Sequence, residues 1–484
     1  MNLALALASA ALLVLLFPPF NLWWLAPLAL APLLIACARE ASWKRRWLFG
    51  WAAGFAFWCG LCPWIQFVLE EHGGMGRWGG WGGFILFGLY KGLHMAVFAT
   101  LAGALMPRWW AMPAVAALWT GIERTHGFFG FAWLDLGNAG LQMPLPMRLA
   151  PITGVYGLSF AFALLACAVA LMILRRPRRE LAWLLPLVIL LALPRAPRPS
   201  APTHKALVVQ PNFDTELTWT ESVFHDNEQK LALLSRASGV DLIVWPEVPA
   251  PFYLTDRDFR DYTSGIARAS ETNFLFGGVG MTLDRQPLNS AALMDSAGKL
   301  IDRYDKINLV PFGEFIPPLF GWVNRITHET GDFVPGSRIV VFPLEGHKAG
   351  AFICYESVFP DLVRQFVRSG AGVLVNISND GYFGHSAAHQ QHLEILRMRA
   401  AENRRWILRA TNNGISAVVD PRGRVVEQLP PFVQTAAILP FDYESAQTIY
   451  TRTGDWFAWG CLAAGFLLAG IAAMNAGSPA RRHP

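Results

Sequence analysis

Long stretches without charged side chains limit the possible folds of this chain more than any other feature. Residues 3–38 contain no charged residue, and further apolar runs follow as far as residue 193. A helix of roughly 20 apolar residues spans the hydrocarbon core of a bilayer. A hydrophobic content of 53% with only 15% charged residues is also unusual for a soluble protein. The sequence therefore predicts a protein embedded in a membrane.

The apolar runs predict eight membrane-spanning helices. The first run is broken by Pro18-Pro19, which cannot continue a helix, so we expect two short helices joined by a turn at the membrane boundary. A cleaved signal peptide is the alternative, but no basic region precedes the run and a second run follows at once. The remaining spans are predicted at residues 47–69, 80–105, 109–122, 149–174, 181–193 and 456–474.

Basic residues lie in short groups beside these runs and predict the orientation of the chain. With both termini in the cytoplasm, each group falls on the cytoplasmic side, as the positive-inside rule requires. Membrane topology explains the net charge of +5 better than a nucleic-acid partner does. The groups are Arg39 with Lys44-Arg45-Arg46, Arg108, Arg175-Arg176 with Arg178-Arg179, and Arg481-Arg482.

Eight spans with this orientation place one large segment outside the cytoplasm. Only six of the 35 acidic residues occur before residue 202, so we expect the polar chemistry in this outer segment. The predicted domains are residues 1–202, which hold seven helices and a linker at 194–202, residues 203–451, which form the outer domain, and residues 452–484, which hold the eighth helix and a cytoplasmic tail.

Cys354 is the one cysteine of six that lies outside an apolar run. The spacing of Cys59 and Cys62 suits a redox or metal pair, but no second pair accompanies them, so packing within a helix is the favoured interpretation. Neither a disulfide framework nor a zinc site is predicted. A solitary thiol on the oxidising side of a membrane is conspicuous, because oxidation threatens it.

Alternating strand-like and helix-like segments predict an α/β fold for the outer domain. Asp295-Ser296-Ala297-Gly298 supplies the turn residues of one hairpin. Strands are predicted at residues 205–209, 241–245, 274–279, 339–342, 350–354, 372–377, 406–411 and 416–420, and helices at residues 221–237, 259–270, 360–368 and 387–403.

Three reactive or charged side chains directly follow strand-like segments: Glu247, Lys306 and Cys354. Open α/β sheets collect their site residues at this edge. Each residue alone has an ordinary explanation, since the glutamate can cap a turn, the lysine can be solvated and the cysteine can pack in the core. Together they supply a proton acceptor, an oxyanion stabiliser and a nucleophile for acyl transfer through a thioester.

Five motifs in a fixed order give the chain a resemblance to a known family. WPE at Glu247, YDKINLVPFGEF around Lys306, CYE at Cys354, SNDGYFG from Ser378 and RATNNG from Arg409 resemble the nitrilase, or carbon-nitrogen hydrolase, superfamily. With its flanking spans the chain resembles the bacterial apolipoprotein N-acyltransferase family over essentially its whole length. The resemblance implies an αββα sandwich with Glu247 as general base, Lys306 as oxyanion stabiliser and Cys354 as nucleophile.

The same resemblance assigns supporting roles to four more residues. Glu314 matches a second glutamate that is expected to hold the lysine, and a structural salt bridge is a compatible interpretation. Tyr355 is expected to offer its backbone N–H to the oxyanion, and Glu356 to shape the pocket. Trp219 lies where the family has an aromatic residue near the lipid site, although a surface anchor is an equally good interpretation. Tyr382 is a departure, because the family has tryptophan there.

The resemblance also implies the reaction and its partners. Cys354 takes an acyl chain from a membrane phospholipid, typically phosphatidylethanolamine, and the α-amine of the diacylglyceryl-cysteine of an apolipoprotein then accepts it. The implied location is the bacterial inner membrane with the catalytic domain in the periplasm, and no cofactor is expected. Apolar residues at 250–254 and 311–322 are predicted to form lids at the membrane interface.

Two other functions stay open on the sequence alone. A membrane-tethered amidase or nitrilase would use the same three residues with water as the acceptor. A transporter or scaffold with an inactive outer domain predicts ionisable residues within the spans, of which Lys91 and His94 are the main ones. The spacing of His385, His389 and His392 suits metal ligands, but a polar helix face near the rim of the pocket is favoured because no fourth ligand is evident.

Overall fold

The computed structural model describes residues 1–128, 130–195, 197, 199, 201–214, 220–311, 313–315 and 333–477. The chain divides into two compact units. The first comprises Met1–Gln66, Trp81–Ala196 and Thr453–Pro484, and the second comprises Phe67–Gly80 and Pro197–Arg452. The α-helices are α1 (Asn2–Leu15), α2 (Ala31–Arg39), α3 (Trp43–Leu61), α4 (Trp64–Phe67), α5 (Gly76–Leu105), α6 (Ala111–Arg124), α7 (Ala150–Thr153), α8 (Val155–Ile173), α9 (Ile189–Ala192), α10 (Glu221–Leu234), α11 (Arg257–Ser270), α12 (Pro360–Arg368), α13 (Ala388–Asn403), α14 (Ile449–Thr453) and α15 (Trp456–Gly477).

Apolar helices build the first unit, as the sequence predicts. α1 and α2 flank the Pro18-Pro19 break, and α6 and α8 cover the runs at residues 109–122 and 149–174. Among the described residues, α5, α8 and α15 are long and apolar enough to cross a membrane. α3 and the segment Trp64–His72, bent by 68° at the break between them, make a fourth candidate. The count of eight spans stays a prediction.

The run at residues 181–193 is not a regular α-helix, unlike the helix predicted there. Arg178–Val188 forms 3-10 turns, and only Ile189–Ala192 (α9) is α-helical. Pro186 lies inside this segment. Proline removes a backbone donor and clashes with the preceding turn of an α-helix.

The strands belong to the second unit. They are β1 (His204–Gln210), β2 (Leu242–Val244), β3 (Asn273–Met281), β4 (Pro287–Met294), β5 (Leu300–Asp305), β6 (Val341–Leu344), β7 (His347–Ile353), β8 (Val373–Ser378), β9 (Ile407–Thr411), β10 (Ala417–Val419), β11 (Val425–Gln428) and β12 (Thr435–Phe441). In the described part of the chain they form two six-stranded sheets, with orders β12-β1-β2-β3-β4-β5 and β11-β10-β9-β8-β7-β6. The central strands β1 to β3 and β7 to β9 run parallel.

The two sheets pack face to face, with β1 against β9 and β4 against β7. Helices α10 and α11 contribute side chains to the core on the outer face of the first sheet, and α12 packs on β7 of the second. The central strands are buried along nearly their whole length, as expected for parallel strands that are covered on both faces. The predicted α/β fold with an αββα arrangement is confirmed.

Aromatic side chains dominate the core on the first sheet. Trp245, Phe252, Phe259 and Phe274 are buried there, and Phe252 stacks on Phe259 with 4.4 Å between the ring centroids. Burial of one such side chain contributes about 1.5–3 kcal/mol. The predicted lid at residues 250–254 is therefore wrong, because Phe252 belongs to the core. Most of the second predicted lid, residues 311–322, lies outside the described residues.

Two edge strands, β11 and β12, were not predicted from the sequence. β12 pairs antiparallel with β1, and β11 pairs with β10. Pro440 interrupts the apolar pattern of β12, and proline is tolerated in edge strands rather than central ones. β11 is short and largely exposed. β11 therefore lacks the apolar run or the strict alternation that identifies a strand, and in β12 Pro440 interrupts the apolar run at residues 436–439.

Candidate active site

The nucleophile candidate, Cys354, follows β7 at a sharp turn. Its backbone φ is 49°, in the left-handed region that residues other than glycine rarely adopt. A short 3-10 turn, Cys354–Val358, follows directly. A strained strand-to-helix turn of this kind presents a nucleophile at the edge of a sheet. The side chain is only 7% exposed, so the thiol lies in a site largely shielded from water.

Lys306 stands between the two carboxylates that the sequence singled out. Its Nζ lies 3.2 Å from Glu247 Oε1 and 2.9 Å from Glu314. The lysine side chain is fully buried, and both carboxylates are mostly buried. Burial lowers the pKa of Lys306, but the two carboxylates more than offset this, so that the pKa lies well above its usual value. Lys306 is therefore an ammonium ion at neutral pH.

Asn289 is a site residue that the sequence analysis missed. Its Nδ2 donates to Glu247 Oε1 at 2.7 Å and to Glu314 Oε1 at 2.6 Å. It therefore joins the two acids from the side of β4, where its neighbour Ser290 is also buried. The signal was weak, since one asparagine inside a strand resembles any other polar residue until its partners are known. Asn289 keeps both carboxylates turned toward the lysine.

The loop that carries Glu247 is held in a close-packed turn. The backbone N–H of Asn379 donates to Glu247 Oε2 at 2.8 Å. Val248, the next residue in the chain, has a φ of 30°, which is strained for a β-branched side chain. A Cβ on Gly277 of β3 would lie 2.5 Å from the carbonyl oxygen of Pro246 and 2.6 Å from the Val248 nitrogen. Glycine at 277 therefore lets the Glu247 turn sit against the sheet.

The thiol of Cys354 has the electrostatic environment of a resting, protonated nucleophile. Burial raises its pKa, the Glu247 carboxylate raises it further, and Lys306 partly opposes both. The cluster of two carboxylates and one ammonium carries a net charge of −1, which disfavours a thiolate beside it. Cys354 therefore needs a base that removes its proton at the moment of attack.

Glu314 and Glu356 fix the backbone that follows Lys306. Glu314 Oε2 accepts from the Val310 N–H at 2.8 Å. Glu356 is fully buried, and its Oε1 accepts from the N–H groups of Ile307 and Asn308 at 2.7 and 3.1 Å. The segment that directly follows Lys306 is thus held by two carboxylates.

Glu356 also reaches back to the strand that carries the nucleophile. Its Oε2 accepts from the Ile353 N–H at 2.8 Å, and its Oε1 from the Tyr304 hydroxyl at 2.7 Å. Burial raises the pKa of Glu356 to about 7, although these donors lower it. One carboxylate therefore connects the end of β5 to the end of β7. The predicted pocket-shaping role of Glu356 stays a prediction.

Tyr355 is buried beside the nucleophile, and its ring meets Phe359 edge to face with 5.3 Å between the centroids. Its peptide nitrogen follows directly on the Cys354 carbonyl at the start of the 3-10 turn. Its oxyanion role stays a prediction. Trp219, the predicted lipid-site residue, lies outside the described residues.

A second buried network lies on the other side of Cys354. Asp380 and Arg409 form an ion pair, with 2.6 Å between Oδ2 and Nη2, and both side chains are completely buried. His392 of α13 lies 3.1 Å from Asp380 Oδ1 and 3.1 Å from the Cys354 carbonyl oxygen. The SNDGYFG and RATNNG motifs supply Asp380 and Arg409, so these motifs frame the nucleophile.

The three histidines do not form the metal site considered from the sequence. In the described part of the chain, no group of three or more His, Cys, Asp or Glu side chains is placed to hold a metal ion. His385 is exposed and packs on Phe432, with 4.1 Å between the ring centroids. His392 is fully buried rather than part of a rim, because α13 packs against the turn that follows Cys354.

A short segment from early in the chain also belongs to the second unit. Phe67–Gly80 belongs to the same compact unit as the sheets, although the sequence analysis assigned it to the membrane region. His72 meets the Tyr382 ring edge to face, with 4.7 Å between the centroids. A Cβ on Gly384 would lie 2.8 Å from the Phe67 ring. This segment therefore packs on the loop that carries Asn379 and Tyr382.

Comparisons with known proteins cover both units. Residues 205–450 match the family model for carbon-nitrogen hydrolases, and residues 9–168 match the model for the apolipoprotein N-acyltransferase N-terminal domain. The chain is 34% identical over 495 residues to an apolipoprotein N-acyltransferase from Geobacter metallireducens, covering 97% of this chain and 94% of the relative. It is 33% identical to one from Azotobacter vinelandii, with the same coverage.

Among solved structures, the chain is similar to a mutant of an amidase of the nitrilase superfamily from Nesterenkonia AN1. The two share 18% sequence identity with a TM-score of 0.39, and the match covers 54% of this chain and 94% of the amidase.

Proposed function

The chain belongs to the apolipoprotein N-acyltransferase family, and from this premise we propose how its residues catalyse the acylation of lipoproteins. The reaction joins a fatty acyl chain to the α-amine of an N-terminal diacylglyceryl-cysteine. The observation that carries the proposal is the placement of Cys354, on a strained turn beside a buried cluster of Glu247, Lys306 and Glu314. Such a cluster can accept a proton, stabilise an oxyanion and shield a thioester from water.

The first step forms the thioester. The Cys354 thiol passes its proton to the Glu247 carboxylate as the sulfur attacks an ester carbonyl carbon of the phospholipid. Lys306 Nζ and the Tyr355 backbone N–H stabilise the oxyanion of the tetrahedral intermediate. The C–O ester bond then breaks, and Glu247 returns the proton to the departing oxygen, so that a lysophospholipid leaves and the acyl chain stays on sulfur.

The second step transfers the acyl chain to nitrogen. The neutral α-amine of the apolipoprotein attacks the thioester carbonyl carbon, and Glu247 takes a proton from the attacking nitrogen. The same donors stabilise the second oxyanion. The C–S bond breaks, the thiolate takes the proton from Glu247, and an amide is released. Charge and protons balance over the two steps, so the resting state with a protonated thiol is restored.

Glu247 is the better candidate for the base of the two carboxylates that contact Lys306. Its charge raises the pKa of the Cys354 thiol, as expected for a carboxylate close to the sulfur. Hydrogen bonding does not separate the two carboxylates, because each accepts from Lys306, from Asn289 and from one backbone N–H, that of Asn379 for Glu247 and that of Val310 for Glu314. The distinction is that Glu247 has the larger effect on the thiol. We therefore assign Glu314 the role of holding the lysine.

Lipid substrates provide a physical reason for the apolar helices of the first unit. Each methylene of an acyl chain contributes about 0.8 kcal/mol to membrane binding, so a phospholipid does not leave the bilayer readily. An enzyme attached to the membrane can meet both substrates at its surface. We propose phosphatidylethanolamine as the acyl donor and the bacterial inner membrane as the location, with Trp219 near the lipid site.

The proposed function is tested by reconstituting the full chain in vesicles. The donor is phosphatidylethanolamine with a labelled acyl chain, and the acceptor is a peptide that begins with diacylglyceryl-cysteine. We expect labelled N-acyl peptide from the wild type and none above background from Cys354→Ala. Vesicles of phosphatidylglycerol test the headgroup. Release of labelled fatty acid with no N-acyl peptide would instead support an amidase-like hydrolase.

The proposed topology has eight spans, cytoplasmic termini and an outer catalytic domain. It is supported by the basic groups beside the apolar runs and by the apolar helices of the first unit. Terminal epitope tags in sealed inside-out vesicles should be cut by protease, whereas a protease site at the exposed turn near Leu283 should be protected. Protection of either tag would contradict this arrangement.

A further inference from the structure

His392 is a buried group that the two chemical steps do not use. It lies on α13 with no exposed surface, and its ring bridges two parts of the site. On one side Nδ1 faces Asp380 and Arg409, each at 3.1 Å. On the other side Nε2 lies 3.1 Å from the Cys354 carbonyl oxygen and 2.9 Å from Ser357 Oγ. The ring thus connects the buried ion pair to the backbone of the nucleophile.

The contact with Cys354 requires a particular protonation of the ring. A carbonyl oxygen can only accept, so Nε2 must carry the ring proton for this contact to be a hydrogen bond. Nδ1 is then the acceptor, and Arg409 Nη2, which can only donate, supplies its hydrogen bond. Asp380 Oδ1 has a separate donor in the Ser378 hydroxyl at 2.7 Å. With a neutral ring protonated on Nε2, the 3.1 Å contact between Nδ1 and Asp380 Oδ1 joins two acceptors and is not a hydrogen bond. Arg409 Nη2, which donates to both groups, offsets their repulsion.

The carbonyl that His392 contacts belongs to the same peptide group as the Tyr355 N–H. A hydrogen bond to the oxygen of a peptide group polarises it and strengthens its N–H as a donor. The Tyr355 N–H is the backbone donor assigned to the oxyanion. The same hydrogen bond also restrains the left-handed turn at Cys354, whose φ is 49° and which is strained for this residue.

We propose that His392 is a positioning residue that orients and polarises the Cys354–Tyr355 peptide group for oxyanion stabilisation. This inference rests on the proposed thioester mechanism and deepens it. Asp380 and Arg409 hold the ring, and the ring holds the peptide. His392 does not touch the thiol or the substrate, so its effect should appear in steps that form an oxyanion and be small in reactions of the thiol that form none.

The test compares two reactions of the same thiol in the reconstituted full chain. Acylation by labelled phosphatidylethanolamine forms an oxyanion, whereas alkylation by iodoacetamide displaces iodide without one. In His392→Leu we expect acylation to slow by about 10- to 100-fold, less than the loss caused by removing a donor outright, with alkylation within about twofold of wild type. His392→Gln keeps an amide N–H near the position of Nε2 and should recover most of the acylation rate.

Two further variants act as controls. His385→Leu makes the same substitution at an exposed histidine and should leave both reactions unchanged. Ser357→Ala removes the other contact of Nε2 and should have a small effect if the ring donates to the carbonyl. If Ser357→Ala reproduced the acylation defect of His392→Leu, the assigned ring proton and the proposal would be wrong.

The remaining outcomes separate this inference from the proposed function. Unchanged acylation in His392→Leu, or an equal loss of acylation and alkylation, would overturn the positioning role while leaving the thioester mechanism in place. Failure of the wild type to form any acyl adduct on Cys354 would instead reject the proposed function itself.

Discussion

The two sides of Cys354 each contain a buried cation paired with a carboxylate, but they differ in net charge and in role. On the side of the first sheet, Lys306 is shared by Glu247 and Glu314, which leaves a net charge of −1 beside the thiol. On the side of the second sheet, Arg409 and Asp380 form a neutral pair. The charged side is suited to moving protons, whereas the neutral side braces the backbone.

This difference has a physical reason. A net charge in a buried cluster costs free energy. The cluster around Lys306 carries one because the reaction needs a base and an ammonium ion side by side. A neutral, fully hydrogen-bonded network can be completely buried without that cost and can hold a strained turn in place. Substitutions on the charged side should therefore appear mainly in the rate of acylation, whereas breaking the ion pair on the neutral side should appear in stability as well as in the acylation that depends on His392.

The largest effect is expected from Lys306→Met on the charged side. The substitution removes an oxyanion donor and leaves two buried carboxylates facing each other without a cation. We expect acylation of Cys354 to fall by about 10³-fold or more, since losing one oxyanion donor alone costs about 10²–10³-fold. Single-turnover labelling with phospholipid measures this rate. Lys299→Met, at an exposed hairpin position, is the matched control, and a Lys306→Met rate within tenfold of wild type would contradict the assignment.

Arg409→Met, on the neutral side, should lower the stability of the fold and, through His392, also slow acylation. It leaves the Asp380 carboxylate fully buried without its cation, which costs about 3–5 kcal/mol. Thermal unfolding of the full chain in detergent should show this loss, and Asp380→Asn in the same chain should restore part of it. Arg257→Met, which breaks a pair in which both partners are exposed, should cost at most about 1 kcal/mol. Equal losses of stability for Arg409→Met and Arg257→Met would contradict the role of the buried ion pair.

Gly277→Ala tests how closely the base must be positioned. The new Cβ would lie 2.5 Å from the Pro246 carbonyl oxygen, so the Glu247 turn must move away from β3. A displacement of about 1 Å can cost about 10²-fold in rate, and we expect a loss of acyl transfer of that order. Gly265→Ala, where a Cβ meets no atom within 4 Å, is the control. Full activity of Gly277→Ala would show that the turn tolerates the shift.

The smallest predicted effect concerns Glu356, which braces both sides. Its pKa is about 7 in the folded protein against an ordinary value of 4.5, so the folded state binds the proton more tightly than the unfolded state. Its contribution to stability is therefore present below about pH 4.5 and is lost as the pH rises toward 7. Between pH 5 and pH 8, the free energy of unfolding of the wild type should fall by about 1–3 kcal/mol relative to Glu356→Gln. A difference independent of pH would contradict this.

Most strands of the two sheets could be predicted from the sequence, because the central strands are apolar runs bounded by polar turns. The sequence also placed Glu247, Lys306 and Cys354 at strand ends, where the parallel strands of each sheet bring their carboxyl ends to one edge. The structure places the first two in direct contact. Their catalytic roles remain proposals, because a contact alone does not show a reaction.

The residues that the sequence did not reveal act through partners far away in the chain. Asn289 and Asn379 contact Glu247 from positions 42 and 132 residues distant, and no local pattern predicts such pairs. His392 showed the spacing of a metal ligand, but its role depends on what α13 packs against. Apolar runs identified membrane-like segments without fixing their geometry, since a run of the same hydropathy can form 3-10 turns around Pro186.

The central claim is that Cys354 carries the acyl chain as a thioester. The most direct measurement is the mass of the proteolytic peptide that contains Cys354, after the full chain has been incubated with phospholipid vesicles and no acceptor. We predict a mass increase equal to one acyl chain on that peptide, sensitive to hydroxylamine, which disappears when a diacylglyceryl-cysteine peptide is added and becomes N-acylated. Acyl transfer to the acceptor without an adduct on Cys354 would contradict the account.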